Sequence, residues 1–250
     1  MKVTRAVVPT LFTVLNMFCG FLAIIQSSEG NYIAACWLII LAGIFDALDG
    51  MMARLTKSIS QFGVEIESVS DVVSFGAAPA YMVWKLHLFH FDAIGVVISS
   101  LLVIMGGIRL ARFNVQLVGF SKEYFTGLPI PSAAYAVIFY IMTFAVDGNH
   151  LEGIAATLFA PLVVVISLLM VSKIKYDTLP KISKREIKKH RLRFIAMFLG
   201  FVILLVTRGQ AMFYLFMAFI LFGIFRSLFY FFKRNEKIEP EIEESPSYDL

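Results

Sequence analysis

Long apolar runs recur along nearly the whole chain, and they constrain its fold more than any other feature. They lie at about residues 7–25, 32–49, 62–85, 93–110, 133–146, 154–172, 194–206 and 212–232. A helix needs about 17–25 residues to cross a hydrocarbon core roughly 30 Å thick, and most of these runs approach that length. In such a medium every backbone polar group must be paired within the protein, so helices are the expected element. Composition agrees: 59% of the 250 residues are hydrophobic and 16% are charged. No soluble domain of this length encloses enough core to hide so much apolar surface. The sequence therefore predicts an all-α, polytopic transmembrane helix bundle of eight spans. The seventh is the weakest because it is short.

Several details refine that expectation. The first run carries Thr13 and Asn16 and lies far from any small-residue cleavage site, so it reads as a retained helix and not a signal peptide. Pro79 should kink the third run, which neighbours in a bundle can absorb. Gly76, Ala77, Ala78 and Ala80 beside it permit close helix approach. Cys19 and Cys36 both lie within apolar runs and read as packing residues without a disulfide or metal role. The four histidines fall at loop ends without ligand spacing and carry no assigned chemistry. The tail from Lys233, with Pro240, Pro246 and five glutamates, is expected to be disordered.

A net charge of +4 could suggest a nucleic-acid partner, but the basic residues occupy connections between apolar runs and form no soluble stripe. With the N-terminus in the cytoplasm, 20 of the 22 Lys and Arg residues fall on that side, leaving Lys85 and Arg208 outside. That bias predicts an integral protein of the cell membrane with both termini cytoplasmic and an even number of spans. The most basic stretch, residues 173–193, reads either as an interfacial helix on the anionic leaflet or as a topological stop.

Within this apolar frame the segment from Asp46 to Asp71 stands out. Asp46, Asp49, Gly50 and Ala53 follow an i, i+3, i+4, i+7 spacing and share one helix face; Gly63, Glu67 and Asp71 share a face on a second helix. A loop of about eight residues, LTKSISQF, is expected between them, which suits antiparallel neighbours. Two acidic faces turned together repel unless cations lie between them. Carboxylate oxygens without His or Cys favour a hard divalent ion: magnesium, manganese or calcium. Ionisable residues in spanning segments are costly and usually functional. Arg54 can donate a charge-assisted fork to phosphate, and Gly50 and Gly63 leave room for a ligand to approach the backbone. These residues point to metal-dependent phosphoryl-type transfer with a lipid-soluble partner, its active site on the cytoplasmic side.

The spacing from Asp49 to Asp71 resembles the signature of the CDP-alcohol phosphatidyltransferase family, D-G-x2-A-R-x8-G-x3-D-x3-D, with the further Asp46 three residues ahead. The resemblance covers roughly residues 5 to 175. Outside the signature, PTLFTVLNMFCG (9–20), SFGAAPA (74–80), RLARFN (109–114) and TGLPIPSAA (126–134) are similar to the serine-accepting branch of that family. The resemblance implies a six-helix membrane core (1–175), then a basic segment with two extra transmembrane helices (176–232) and the hydrophilic tail (233–250). It implies CDP-diacylglycerol and L-serine as substrates, two divalent cations, Mg2+ or Mn2+, and a homodimer. Asp46, Asp49, Glu67 and Asp71 would bind the metals, and Asp71 would be the catalytic base. Gly50, Ala53, Arg54 and Gly63 would seat the CDP-lipid. Arg109 and Arg112, with Asn114, would form a phosphate or serine-carboxylate pocket, unless the arginines are positive-inside anchors. Pro129 and Pro131 are expected to shape the entrance to the fifth helix.

One departure from the family pattern is Glu67, where the family has Asp, so that carboxylate sits one methylene further from the backbone. Two other readings of the acids stand beside the serine transferase. One is the same chemistry with glycerol phosphate or inositol phosphate as acceptor. The other is a cation transporter, which the one-sided placement of the acids and the lack of a half-to-half repeat disfavour.

Overall fold

The computed structural model describes residues 7–56, 58, 60–117, 125–176, 199 and 202–235. The tail beyond 235, most of the basic segment and most of the seventh apolar run lie outside the described residues. Helices α1 (Val7–Ser28) and α2 (Tyr32–Thr56) form an antiparallel pair. Their turn closes where Asn31 N–H donates to Gln26 O at 2.8 Å and Gly30 takes a left-handed φ of 84°. The connection to α3 (Gln61–Asp71) is four residues long, 57–60, and not the eight expected. Two local causes shorten it. Arg54, Leu55 and Thr56 carry on the helix begun by good helix formers, and Ser60 caps α3 by accepting from Gly63 N–H at 3.0 Å.

The third run is not one continuous α-helix. A π-helical turn spans Val72–Ala77 and is followed by α4 (Ala78–Leu86). Ala78 N–H reaches back five residues to Val73 O. Pro79, which lacks an N–H, sits in the first turn of α4, where it costs no hydrogen bond. The irregularity expected at Pro79 is thus taken up just upstream, directly after Asp71.

A short 3-10 turn (Leu88–Phe91) leads into α5 (Asp92–Leu117), which runs about two turns past its expected end and so keeps Arg109, Arg112 and Asn114 on one helix. Helices α6 (Ile130–Phe144), α7 (Gly153–Val171) and α8 (Met212–Asn235) follow. Two-residue strands, β1 (Phe125–Thr126) and β2 (Lys175–Tyr176), pair antiparallel and tie the chain entering α6 to the chain leaving α7. Nothing in the sequence signals this clamp, since two residues are too few for an alternating pattern. Among the described residues four helical stretches are long and apolar enough to cross a membrane: Pro9–Ser28, Tyr32–Thr56, Leu88–Val115 and Gly153–Val171. Ile130–Phe144 and Met212–Arg226 are shorter apolar helices. The protein is an all-α, multi-spanning helical protein.

Its surface and interior are arranged for lipid. Phe18, Ile94, Val97, Ile154 and Leu168 are exposed, while Thr13, Asn16, Asp49, Ser70, Asp71 and Arg109 are buried. The apolar core centres on α6, which packs against α2, α4, the π turn, α7 and α8. Helix α1 lies against α2 on one side and the α3–π–α4 run on the other. It is held there by Ser70 Oγ donating to Thr13 O at 3.0 Å and Ser74 Oγ donating to Asn16 O at 2.8 Å. Gly20 faces Ser74 so closely that a Cβ would collide with it. Both cysteines are free and buried.

Candidate active site

The C-terminal part of α2 and the whole of α3 bring the acids together. Asp46, Asp49 and Glu67 each offer a carboxylate oxygen, and these atoms all lie within 4.8 Å of one another. The one-face spacing on α2 explains Asp46 and Asp49, and the short connection lets α3 return Glu67 to them. The longer Glu67 arm reaches the group from its own helix. Asp71, at the end of α3, is buried and faces Asp46. Two helices thus turn their acidic faces toward each other, as the spacing predicts.

The donor set fits a divalent cation. It consists of oxygen only, it gathers like charges that repel, and Asp49 Oδ1 is buried with no hydrogen-bond partner. Hard ions such as magnesium take such ligands. The other oxygen, Oδ2, accepts from Thr13 Oγ1 at 2.8 Å. Asn16 Nδ2 likewise donates to Asp71 Oδ1 at 3.3 Å. Helix α1 therefore holds one carboxylate from each acidic helix, through residues three apart on one face. Sequence reasoning noted Thr13 and Asn16 only as polar residues in an apolar run. Their shared face, inside a segment with almost no other polar side chains, is the signal that could have singled them out.

Beside the acids lies a shallow pocket of about 60 Å³ that opens to solvent. Thr13, Asp49, Ala53, Ser60, Gly63 and Glu67 line it. Ala53 and Gly63 keep its wall low. Arg54 is exposed at the end of α2, close enough to Glu67 to attract its charge, and a Cβ on Gly50 would stand 3.4 Å from Arg54 Nη1. Acids, small residues and one guanidinium in this arrangement can hold a cation beside a phosphate-bearing group.

The three residues expected to form a phosphate or carboxylate pocket separate in the structure. Arg109 is 8% exposed, has an unpartnered Nε and lies within electrostatic reach of Asp71. Arg112 is exposed and donates from Nη1 to Val171 O at 3.0 Å, capping the last turn of α7. Asn114 Nδ2 donates to Ser68 Oγ at 3.0 Å, next to Glu67. Tyr135 of α6, not foreseen from the sequence, brings its hydroxyl near Asp46 and Asp71.

Comparison with known proteins gives a concordant picture. The sequence profile of the CDP-alcohol phosphatidyltransferase family matches residues 6–171. The chain is similar to a CDP-diacylglycerol–serine O-phosphatidyltransferase of Helicobacter pylori, with 37% identity over 224 residues, 88% of this chain and 91% of that protein. It is similar to an archaetidylserine synthase of Methanothermobacter thermautotrophicus, with 40% identity over 178 residues, 70% of this chain and 72% of the other. A CDP-diacylglycerol–serine O-phosphatidyltransferase of Bacillus subtilis shares 33% identity over 186 residues, 74% of this chain and 97% of its own length.

Proposed function

The chain belongs to the CDP-alcohol phosphatidyltransferase family, and on that premise we propose that it transfers the phosphatidyl group of CDP-diacylglycerol to the hydroxyl of L-serine, giving phosphatidylserine and CMP. The observation that carries this reading is the convergence of Asp46, Asp49 and Glu67 from two helices beside an open, solvent-connected pocket.

In this reading Asp46, Asp49, Glu67 and Asp71 share two divalent cations, magnesium or manganese. When bound, they supply positive charge against the diphosphate oxygens and the leaving phosphate. Gly50, Ala53 and Gly63 leave space for the nucleotide, and Arg54 donates to its phosphate oxygens. Asp71 has one oxygen engaged by Asn16, and the other takes the proton from the serine hydroxyl. The serine oxygen then forms a bond to the phosphorus that carries diacylglycerol, the bond from that phosphorus to the CMP oxygen breaks, and CMP departs with the electron pair. The acids stand at the ends of apolar helices, so a lipid substrate can reach them from the side. We place this end of the bundle, and both termini, on the cytoplasmic side, as the Lys and Arg bias favours. The division at about residue 175 into a core and a C-terminal addition, and a homodimer, belong to the same proposal.

The test is CMP release from CDP-diacylglycerol by the purified full chain, with serine, glycerol 3-phosphate, inositol phosphate or no acceptor. Release that requires serine and a divalent ion is expected. Release driven equally by phosphorylated acceptors, or independent of any acceptor, refutes the serine assignment.

A further inference from the structure

Helix α8 begins beyond residues 6–171, the part that the family profile matches, yet it packs along α6 toward the acids. The two helices meet through aromatic rings spaced three and four residues apart, the period that puts side chains on one helix face. Phe213 lies edge-on to Tyr140 and Phe144, with centroids 5.1 and 5.3 Å away. One turn further along α8, Phe216 lies edge-on to Tyr135 at 5.7 Å and tilted against Phe139 at 5.4 Å. Phe75 of the π turn meets the Tyr135 ring edge-on at 6.1 Å, and Phe139 stacks on it at 5.9 Å. Rings from the π turn, α6 and α8 therefore set the direction in which Tyr135 points.

That direction leads to Asp46. The Tyr135 hydroxyl fills the space that a side chain at Gly43 would occupy. Gly43 stands three residues before Asp46, on the same face of α2. The hydroxyl lies within electrostatic reach of Asp46 and Asp71. Asp46 is the pivotal acid, because it belongs to the group with Asp49 and Glu67 and also faces Asp71. Helix α1 holds the other two aspartates, through Thr13 and Asn16. Tyr135 approaches Asp46 from α6, and a phenol can donate to a carboxylate oxygen and so fix its direction. Packing alone would be served equally well by phenylalanine, without the cost of taking a hydroxyl out of water.

We propose that α8 braces the ion site: Phe216 fixes the Tyr135 ring, and Tyr135 is a positioning residue for Asp46. The inference rests on the cation site of the reading above and gives the C-terminal helix a part in it.

Mn2+ binding to the detergent-solubilised full chain, followed by electron paramagnetic resonance, tests the brace. Tyr135→Phe keeps the ring and removes the hydroxyl. It is expected to weaken Mn2+ binding by about tenfold or more, the usual weight of a group that orients a metal ligand. Phe216→Ala and the milder Phe216→Leu are expected to weaken it by about two- to tenfold, the scale of one aromatic pair. Added to Tyr135→Phe, either should cost less than about twofold further, because its effect passes through the hydroxyl already removed. Phe213→Ala truncates the same helix one turn away. It should lower the thermal midpoint and keep Mn2+ affinity within about twofold of the unaltered chain. Unchanged Mn2+ binding in Tyr135→Phe, Phe216 effects that multiply with it, or a loss in Phe213→Ala as large as in Phe216→Ala overturns the proposal. An unaltered chain that binds no Mn2+ overturns the ion reading itself, and that result is distinct from the others. Tyr135→Phe preserves the core volume, so the outcome does not depend on a truncated variant that fails to fold.

Discussion

Replacing Thr13 by Val tests whether α1 pre-organises the cation site. Valine keeps the shape and removes one hydroxyl. That hydroxyl has a single proton and two acceptors, Asp49 Oδ2 at 2.8 Å and Pro9 O at 3.3 Å, and the shorter, charged contact takes it. A net hydrogen bond to a charged group is worth about 1.5–3 kcal/mol. The opposing force is repulsion among the acids: unit charges 4.8 Å apart repel by about 3 kcal/mol at an effective dielectric of about 20. In the ion-free state, then, Thr13 is the side chain that holds Asp49 toward its neighbours, while Oδ1 has no partner. Without Thr13 the carboxylate swings away, and an arriving ion must pull it back. The expected cost in cation affinity is about 10- to 150-fold, in line with the usual weight of groups that orient a metal ligand. Binding of Mn2+ to the detergent-solubilised chain, followed by electron paramagnetic resonance, reads this directly, and Thr13→Ser should restore most of it. A Val variant that binds Mn2+ within a factor of two of the unaltered chain refutes the reasoning.

Other perturbations act on the same geometry. Glu67→Asp shortens the arm that brings the third oxygen within 4.8 Å of the other two, so turnover should fall by about tenfold or more, consistent with a disturbed metal ligand; an unchanged rate of CMP release would show that the longer arm is not adapted to this scaffold. A chelator should lower the thermal midpoint, and divalent ions should raise it, by about 2.7 kcal/mol of stability at a hundred times the dissociation constant; a midpoint insensitive to both would count against an ion held by these acids. Arg112→Leu removes a cap from α7 and nothing from the buried site, so a small loss of stability, about 1 kcal/mol, is expected with the KM for serine unchanged; a large rise in that KM would place Arg112 in the acceptor site. Gly43→Val drives a side chain into the Tyr135 hydroxyl, and CMP release should fall steeply while Gly107→Ala, which meets nothing within 4 Å, should leave it intact.

The helices and the acidic pair were legible in the sequence because each depends on a short-range period. Apolar runs bounded by polar turns give α1, α6 and α7 within a few residues at both ends, and α2 and α5 at their starts only, since each of these runs about two turns beyond its apolar stretch. The four-residue spacing of Gly63, Glu67 and Asp71 fixes their common face whatever surrounds them. Features made by contacts between distant segments were not legible. Asn16 lies 55 residues from Asp71 and Thr13 lies 36 from Asp49, and no local pattern announces either pairing. The different fates of Arg109 and Arg112 have the same origin. On an isolated helix end they look like equivalent anchors, and only the packing of the π turn and α7 against α5 buries one beside Asp71 and spends the other on a carbonyl. The α2–α3 connection is shorter than the sequence pattern suggests because apolar character ends before the helix does.

The π turn directly after Asp71 explains how one apolar run serves two purposes. An α-helix continued from α3 would lock the orientation of the acids to that of the packing residues further along, since every side chain is fixed relative to those before it. The wider turn at 72–77 inserts about one extra residue and breaks that lock. Upstream, orientation is set by polar contacts: the Ser60 cap, the Asn114–Ser68 bond and the Asn16–Asp71 bond. Downstream it is set by apolar contacts of Ala78, Met82 and Leu86, all buried. The seam itself is pinned by Ser74 on α1 and by Gly76 packed against the backbone of Val103 on α5. Site and core can therefore each reach their best packing, and the irregular backbone stands where it is enclosed by protein, as a bilayer requires of any departure from regular helix.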